Sequence, residues 1–157
     1  MRLIEKAKGF LFDLDGVFIQ SGNPLPGAID ALASLRALNI PFRFLTNTTT
    51  QSRKTLQSTL NSIGLNCDEE EIFSAGFSGV QAIKSMGYPT CSYYITDDLK
   101  KDYLIFEEDI EKPEVIIVGD YEDWDFKNLN QAFQYVMSGS RILALHMGKY
   151  YRVDSGL

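Results

Sequence analysis

Two carboxylates two positions apart, Asp13 and Asp15, close a short apolar run and are followed at once by a glycine in Phe10-Leu11-Phe12-Asp13-Leu14-Asp15-Gly16-Val17. Like charges that close repel, so the pair implies either a bound cation or one carboxyl with a raised pKa. Both suit phosphoryl transfer. A divalent ion such as Mg²⁺ would neutralise enough charge for one aspartate to attack a phosphorus that already bears negative oxygens. The other aspartate could then protonate the leaving oxygen as a general acid. Gly16 would let backbone N–H groups come close to a phosphate. A second polar set, Thr46-Asn47 followed by Thr48-Thr49-Thr50, ends the run Phe42-Arg43-Phe44-Leu45. A hydroxyl and an amide there could hold phosphate oxygens without adding charge. Blander readings stand beside both. Asp15-Gly16 between apolar runs is also a β-hairpin signal, and Ser, Thr and Asn are ordinary loop and cap residues. A calcium loop fits poorly, because it needs an acidic or amide residue where Val17 stands and glycine where Phe18 stands.

The elements that would position these residues follow from the spacing of apolar side chains. Gly9 to Phe12 reads as a strand buried on both faces. Ile29, Leu32, Leu35 and Leu38 recur every three residues, near a helical period, in a helix that Pro26 opens and Asn39-Ile40-Pro41 stops. Phe42 to Leu45 is the next strand. Ser52 is placed to cap a helix whose face is Leu56, Leu60 and Ile63 and which Gly64 ends. The same grammar continues with a helix through Val80, Ile83 and Met86 ended by Gly87, and strands at Cys91–Thr96 and Glu114–Gly119. Asp125 caps a helix whose apolar face is Phe126, Leu129, Phe133, Val136 and Met137. Arg141–His146 is a further strand, and Tyr150 to Val153 follow a turn at Gly148. Strand and helix alternating over short connections predict an α/β fold with parallel sheets covered by helices. The carboxyl ends of such strands are where ligands bind, which places Asp13 and Asp15 well.

Composition narrows the function classes. The chain has 157 residues and a net charge of −6, which disfavours nucleic acid and anionic membrane as partners, since both are bound through clustered Lys and Arg. Its 2 cysteines, Cys67 and Cys91, are too few for a disulfide scaffold. No apolar stretch is long enough to span a bilayer, and the first residues lack a signal-peptide core, so a cytoplasmic location is expected. His146, the 1 histidine, reads as a packed strand residue, because one His without nearby Cys or acidic spacing makes no zinc site. Glu69-Glu70-Glu71 reads as a solvated charge run.

The motif Phe-Leu-Phe-Asp-Leu-Asp-Gly-Val, with Thr46-Asn47, Ser52-Arg53, Leu56 and Pro26-Gly27-Ala28, resembles the haloacid dehalogenase superfamily of aspartate-nucleophile phosphatases. The extended second motif and the later segments, Val115 to Gly119, Leu129-Asn130-Gln131-Ala132-Phe133, Tyr150-Tyr151 and Gly156-Leu157, resemble its subgroup with a large α/β cap. That subgroup includes NagD-like, phosphoglycolate, pyridoxal phosphate and phospholysine phosphohistidine inorganic pyrophosphate phosphatases. The resemblance implies a Rossmann-like parallel-sheet core in residues 1–75 and a cap in residues 76–157. It implies that Asp13 is the nucleophile, that Asp15 is the general acid and base, and that both hold Mg²⁺. Gly16, Thr46 and Asn47 would bind the phosphate of a small phosphorylated metabolite.

Such enzymes also carry a later lysine and a later acidic pair, which this chain does not show in the expected order. The core is therefore expected to be incomplete, the cap truncated, and the chain an N-terminal portion that is weakly active or inactive alone. Gly119-Asp120-Tyr121-Glu122-Asp123 imitates the acidic motif, with Lys100 or Lys101 as the lysine of a small capless enzyme. The Leu-Asn-Gln-Ala-Phe helix just beyond belongs to the cap pattern instead, which makes Asp120, Asp123 and Asp125 loop and cap residues. A non-catalytic chain acting through cap-mediated dimerisation or partner binding is the alternative, and a homodimer through the cap is open under either reading.

Overall fold

The computed structural model describes residues 7–87 and 90–148, so the expectations for Tyr150 to Leu157 lie outside the described residues. Three parallel strands form the first sheet: β1 (Phe10–Asp13), β4 (Phe42–Thr46) and β5 (Ile72–Ser74), in the order β1-β4-β5. Between β1 and β4 come a small hairpin, β2 (Ile19–Gln20) and β3 (Asn23–Pro24), and helix α1 (Ala28–Ala37). Helix α2 (Arg53–Ser62) links β4 to β5. Helix α3 (Ala75–Met86) leaves β5 directly, with the Ser74 side chain capping it at Phe77 N–H, and ends on Gly87 in the left-handed conformation. The second sheet is also parallel, in the order β7-β6-β8-β9: β6 (Thr90–Tyr94), β7 (Glu107–Glu108), β8 (Val115–Val118) and β9 (Arg141–Ala144). Helix α4 (Asp97–Lys100) lies between β6 and β7, and helix α5 (Phe126–Met137) between β8 and β9.

Each sheet has its own apolar packing. Phe18, Leu32, Leu35, Phe42, Phe44, Leu60 and Ile72 fill the first core, while Ile83, Cys91, Leu99, Tyr103 and Ile117 fill the second. The caps expected at Ser52 and Asp125 are present: Thr55 N–H donates to Ser52 Oγ at 3.2 Å and Asn128 N–H to Asp125 Oδ1 at 2.6 Å.

Three expectations are corrected. Asp15-Gly16 does not turn a hairpin out of β1, because β1 pairs in parallel with β4, in the register Phe10 with Phe42 and Asp13 with Leu45. The Leu14 carbonyl instead collects the N–H groups of Val17, Phe18 and Ile19 at 3.3, 3.0 and 3.0 Å, winding the chain into one tight turn. The hairpin comes later, where Ser21 and Gly22 both have positive φ, as its tight two-residue turn requires.

β1 is not buried on both faces either. It is the edge strand among the described residues, and Leu11 is 70% exposed. Helix α5 also buries a different face from the one expected, and α1 buries only the middle of its expected face, Leu32 and Leu35. A three-residue spacing drifts about 60° per step around a helix of 3.6 residues per turn, so Ile29 and Leu38 fall on opposite sides. The buried residues of α1 are Ala28, Leu32 and Leu35. In α5 they are Ala132 and Tyr135, against Tyr94 and Ile116, while Phe126 is 85% exposed and Leu129, Phe133 and Met137 face outward with it.

The contact between α3 and the second core leaves no room for a methyl group at Gly79, where an added Cβ would run into the Tyr103 hydroxyl and Leu145. That hydroxyl donates to the Gly76 carbonyl at 2.7 Å. Gly79→Ala is expected to push the rigid Tyr103 ring off this bond and cost about 1–3 kcal/mol. Urea unfolding followed by circular dichroism measures this, and an unchanged midpoint would contradict the packing.

Candidate active site

Parallel pairing sets the carboxyl ends of β1, β4 and β5 side by side, so their last residues share one rim. Asp13 ends β1, and Thr46 lies one position beyond Leu45, its partner in the register. The Asp13 Oδ1 accepts only the next N–H, that of Leu14, at 2.9 Å. Asp15 follows on the tight turn, and Gly16 there has a φ of 75°. Both carboxylates are exposed, and among the described residues neither pairs with a Lys or Arg. Thr46 is buried. Its Oγ1 lies 2.8 Å from that of Thr48 and accepts the Thr48 N–H at 3.3 Å, whereas Asn47 is exposed.

A cleft of about 650 Å³ opens beside this rim, with Asp15, Asn47 and Thr49 on one wall and Asp120, His146 and Gly148 on the other. Asp13, Gly16 and Thr46 lie at the strand ends without lining the cleft. The expected residues thus fall into two groups: Asp15 and Asn47 in the cleft, and Asp13, Gly16 and Thr46 beside it.

The opposite wall was not foreseen. Asp120 is not a bland loop residue. It follows β8, and its Oδ2 accepts a short hydrogen bond from the fully buried Thr49 hydroxyl. His146 is not a packed strand residue. It follows β9, and its Nε2 lies 3.2 Å from Asp120 Oδ1 while its Nδ1 accepts the Gly148 N–H at 3.2 Å. Nε2 is thus the ring nitrogen that faces the carboxylate. Only the ends of neighbouring parallel strands could have suggested this pair, since Asp120 and His146 stand 26 positions apart in sequence. Lys100 and Lys101 are bound elsewhere, to Glu108 at 2.8 Å and Asp98 at 2.6 Å.

The segment that carries Asn47 to Thr50 is held from the second sheet's connections. The Thr96 hydroxyl donates to the Thr50 carbonyl at 2.6 Å. Asp98 accepts the Ser52 N–H at 2.9 Å and the Thr55 hydroxyl at 3.0 Å, and Asp102 accepts the Arg53 N–H at 3.0 Å. These carboxylates sit at the start of α2, where free N–H groups and the helix dipole favour negative charge.

Asp13 and Asp15 offer hard oxygen donors of the kind Mg²⁺ prefers, and their exposure leaves room for the waters that ion retains. Among the described residues no cluster of three or more His, Cys, Asp or Glu is placed to hold a metal. A cation on this pair would therefore keep most of its shell as water or ligand oxygens.

An apolar strand ending in Asp-x-Asp beside a strand ending in Thr defines a class. Residues 10–110 match the family model of the haloacid dehalogenase-like hydrolases, and the chain belongs to that family. Among known relatives it is 30% identical over 151 residues to haloacid dehalogenase-like hydrolase domain-containing protein 2 of Mus musculus. It is 28% identical over 157 residues to the phospholysine phosphohistidine inorganic pyrophosphate phosphatase of Homo sapiens. Each match covers 96% of this chain, and the chain spans 57% of each relative's length. The fold is that of 4-nitrophenylphosphatase from Thermotoga maritima, with a TM-score of 0.90 at 22% identity, covering 99% of this chain and 61% of that one. The p-nitrophenyl phosphatase from Archaeoglobus fulgidus matches with a TM-score of 0.86 at 25% identity, over 95% of this chain and 59% of that one.

Burial pushes the Asp98 carboxyl up, but the bonds from Lys101, Ser52 and Thr55 outweigh it and hold the group at about 2, below its ordinary 3.8. A depressed carboxyl contributes stability that is complete above its unfolded value and lost as pH falls through the folded one. Asp102 acts oppositely, since burial raises it and its contribution weakens as pH rises through that raised value. Asp98→Asn is therefore expected to lower the melting temperature by a few degrees at pH 7 and to flatten its fall between about pH 4 and 2. Thermal melts across that range decide it. A variant that keeps the wild-type acid limb would show that Asp98 is not the group responsible.

Proposed function

We propose that this chain carries the nucleophile half of a Mg²⁺-dependent, cytoplasmic phosphatase of small phosphorylated metabolites. The observation that carries this reading is the Asp13 carboxylate, exposed and without a Lys or Arg partner among the described residues, at the end of a parallel strand beside Thr46 on the next. In this reading residues 1–75 form the catalytic core and residues 76–157 the cap. Asp13 attacks phosphorus and forms the new O–P bond while the bond to the leaving oxygen breaks, and Asp15 gives that oxygen its proton. Asp15 then takes a proton from water as the water oxygen attacks the aspartyl-phosphate, returning Asp13 and releasing orthophosphate. Thr46, Asn47 and the Gly16 backbone hold the phosphate oxygens. Mg²⁺ held by Asp13 and Asp15 would screen the charge that otherwise repels the nucleophile.

We also propose that the chain alone turns over slowly. Lys100 and Lys101 are engaged by Glu108 and Asp98, so neither is free to steady the phosphate charge. Hydrolysis of p-nitrophenyl phosphate with Mg²⁺ is expected to be weak in this chain and to fall at least about a hundredfold in Asp13→Asn. Hydrolysis that survives Asp13→Asn would refute the assignment.

A specific observation favours the second reading, a chain that acts through assembly. Phe126, Leu129, Phe133 and Met137 form an exposed stripe along α5. Two copies can bury such stripes against each other about a twofold axis, the commonest protein symmetry. The expected result is a dimer in sedimentation equilibrium that Phe133→Glu converts to monomer. A wild-type chain that is monomeric at high micromolar concentration excludes it.

A further inference from the structure

The main cleft continues into a second, smaller cavity of about 250 Å³ that shares Thr50 and Asp120 with it and adds Gly119, Tyr121, Glu122 and Trp124. Its aromatic wall is built rather than incidental. The Gly119 N–H donates to the Tyr94 carbonyl at 2.9 Å, drawing the chain after β8 tightly over β6. Trp124 then stacks on the buried Tyr94 ring, with centroids 4.9 Å apart and planes within 7°. Tyr121 stands edge-on to Trp124 at 5.3 Å and to Tyr94 at 5.7 Å. Trp124 is left 40% exposed.

The charge on this cavity has one sign. Asp120 and Glu122 line it, and none of its lining residues is Lys, Arg or His. His146 lines the neighbouring cleft rather than this cavity, 3.2 Å from Asp120 Oδ1. The surroundings are acidic as well. Burial raises the Tyr121 hydroxyl, and Asp123, Asp125 and Asp97 raise it further. Aromatic faces carry negative quadrupole charge and attract alkylammonium groups, most strongly at tryptophan. Carboxylates beside them add attraction for the same ligand and repel a second anion.

We infer that the Tyr121–Trp124 cavity with Asp120 and Glu122 is a subsite for an ammonium group, so that the molecule bound in the cleft carries a phosphoryl group at one end and an alkylammonium at the other. The identity of the ammonium end rests on this cavity alone. Its placement on a phosphatase substrate rests on the proposed function above. The cleft lined by Asp15 and Asn47 and this cavity share Thr50 and Asp120, the route by which one zwitterion would reach both.

Two measurements separate these layers. Trp124 is the 1 tryptophan of the chain, so its intrinsic fluorescence reports on the cavity without any turnover. Tetramethylammonium chloride is expected to change that emission saturably where sodium chloride at equal ionic strength does not, and Glu122→Gln is expected to weaken the response severalfold. A response that is linear, absent, or equal in Glu122→Gln overturns the subsite whatever the enzyme does. The second measurement compares phosphocholine with 3,3-dimethylbutyl phosphate, its uncharged isostere, as Mg²⁺-dependent substrates. About a tenfold higher kcat/KM for phosphocholine is expected, with the ratio collapsing toward unity in Trp124→Leu. Equal rates for the two esters overturn the link between the subsite and the reaction. Hydrolysis of neither ester by a preparation that turns over p-nitrophenyl phosphate in an Asp13-dependent way also overturns that link, while a saturable ammonium response leaves the subsite standing.

Discussion

The segment between β4 and α2 is the part on which the rest depends, because its donors are satisfied by acceptors that belong to the other sheet. The Thr49 hydroxyl donates a hydrogen bond to Asp120, the Ser52 and Arg53 N–H groups donate to Asp98 and Asp102, and the Thr50 carbonyl accepts one from the Thr96 hydroxyl. A helix start needs its first N–H groups satisfied. Ser52 supplies part of that locally, and the carboxylates on and just after α4 supply the rest. The loop that carries Asn47 cannot shift without uncapping α2 or stranding a buried Thr49 hydroxyl, and an unpaired buried polar group costs about 1–3 kcal/mol.

This constraint gives the rim its asymmetry. On the first sheet, β4 ends in a fixed, internally bonded pair of threonine hydroxyls, whereas β1 ends in two carboxylates with almost no protein partners. On the second sheet, β8 and β9 are followed by Asp120, which binds Thr49 of the fixed loop, and by His146, which binds Asp120. One wall of the cleft is therefore bonded across both sheets, while Asp13 and Asp15 sit on an edge strand and a tight turn. An arrangement of this kind suits a site whose geometry is set by the loop and whose reactive groups must remain free for a ligand.

The alternation of β1, α1, β4, α2, α3, β6, β8, α5 and β9 was legible because it rests on local chemistry: apolar runs too short for helices, Ser52 and Asp125 as caps, Gly64 and Gly87 as stops; the short β5, the β2–β3 hairpin, α4 and β7 gave no such run. The pair Asp13 and Asp15 with Thr46 was legible because parallel strands put their carboxyl ends on one rim. Other features were not legible for reasons that are equally physical. Asp15-Gly16 and Ser21-Gly22 are both acceptable tight turns, and only the long-range pairing of β1 with β4 decides between them. The buried faces of α1 and α5 depend on how closely a helix can approach its sheet. Small Ala132 and the Tyr135 hydroxyl, which bonds to the Ile110 carbonyl, outcompete the larger stripe on α5. Asp120 and His146 resemble loop and strand residues until β8 and β9 are adjacent.

Aspartate performs several tasks in this acidic chain, and the number of donors around each carboxylate tells them apart. Asp98 receives a lysine, an N–H and a hydroxyl, Asp102 an N–H, Asp125 the N–H of its own helix, and Asp120 a threonine and a histidine. These bonds hold the fold together, and at Asp98 they stabilise the ionised form. Among the described residues Asp13 has only the N–H of the next residue, and Asp15 has no donor. With a net charge of −6, two adjacent unpaired carboxylates add repulsion that burial would make severe, and exposure to water keeps the cost small. A fold that satisfies four aspartates with care while leaving two neighbouring ones open at a strand end has placed unspent acceptor capacity there.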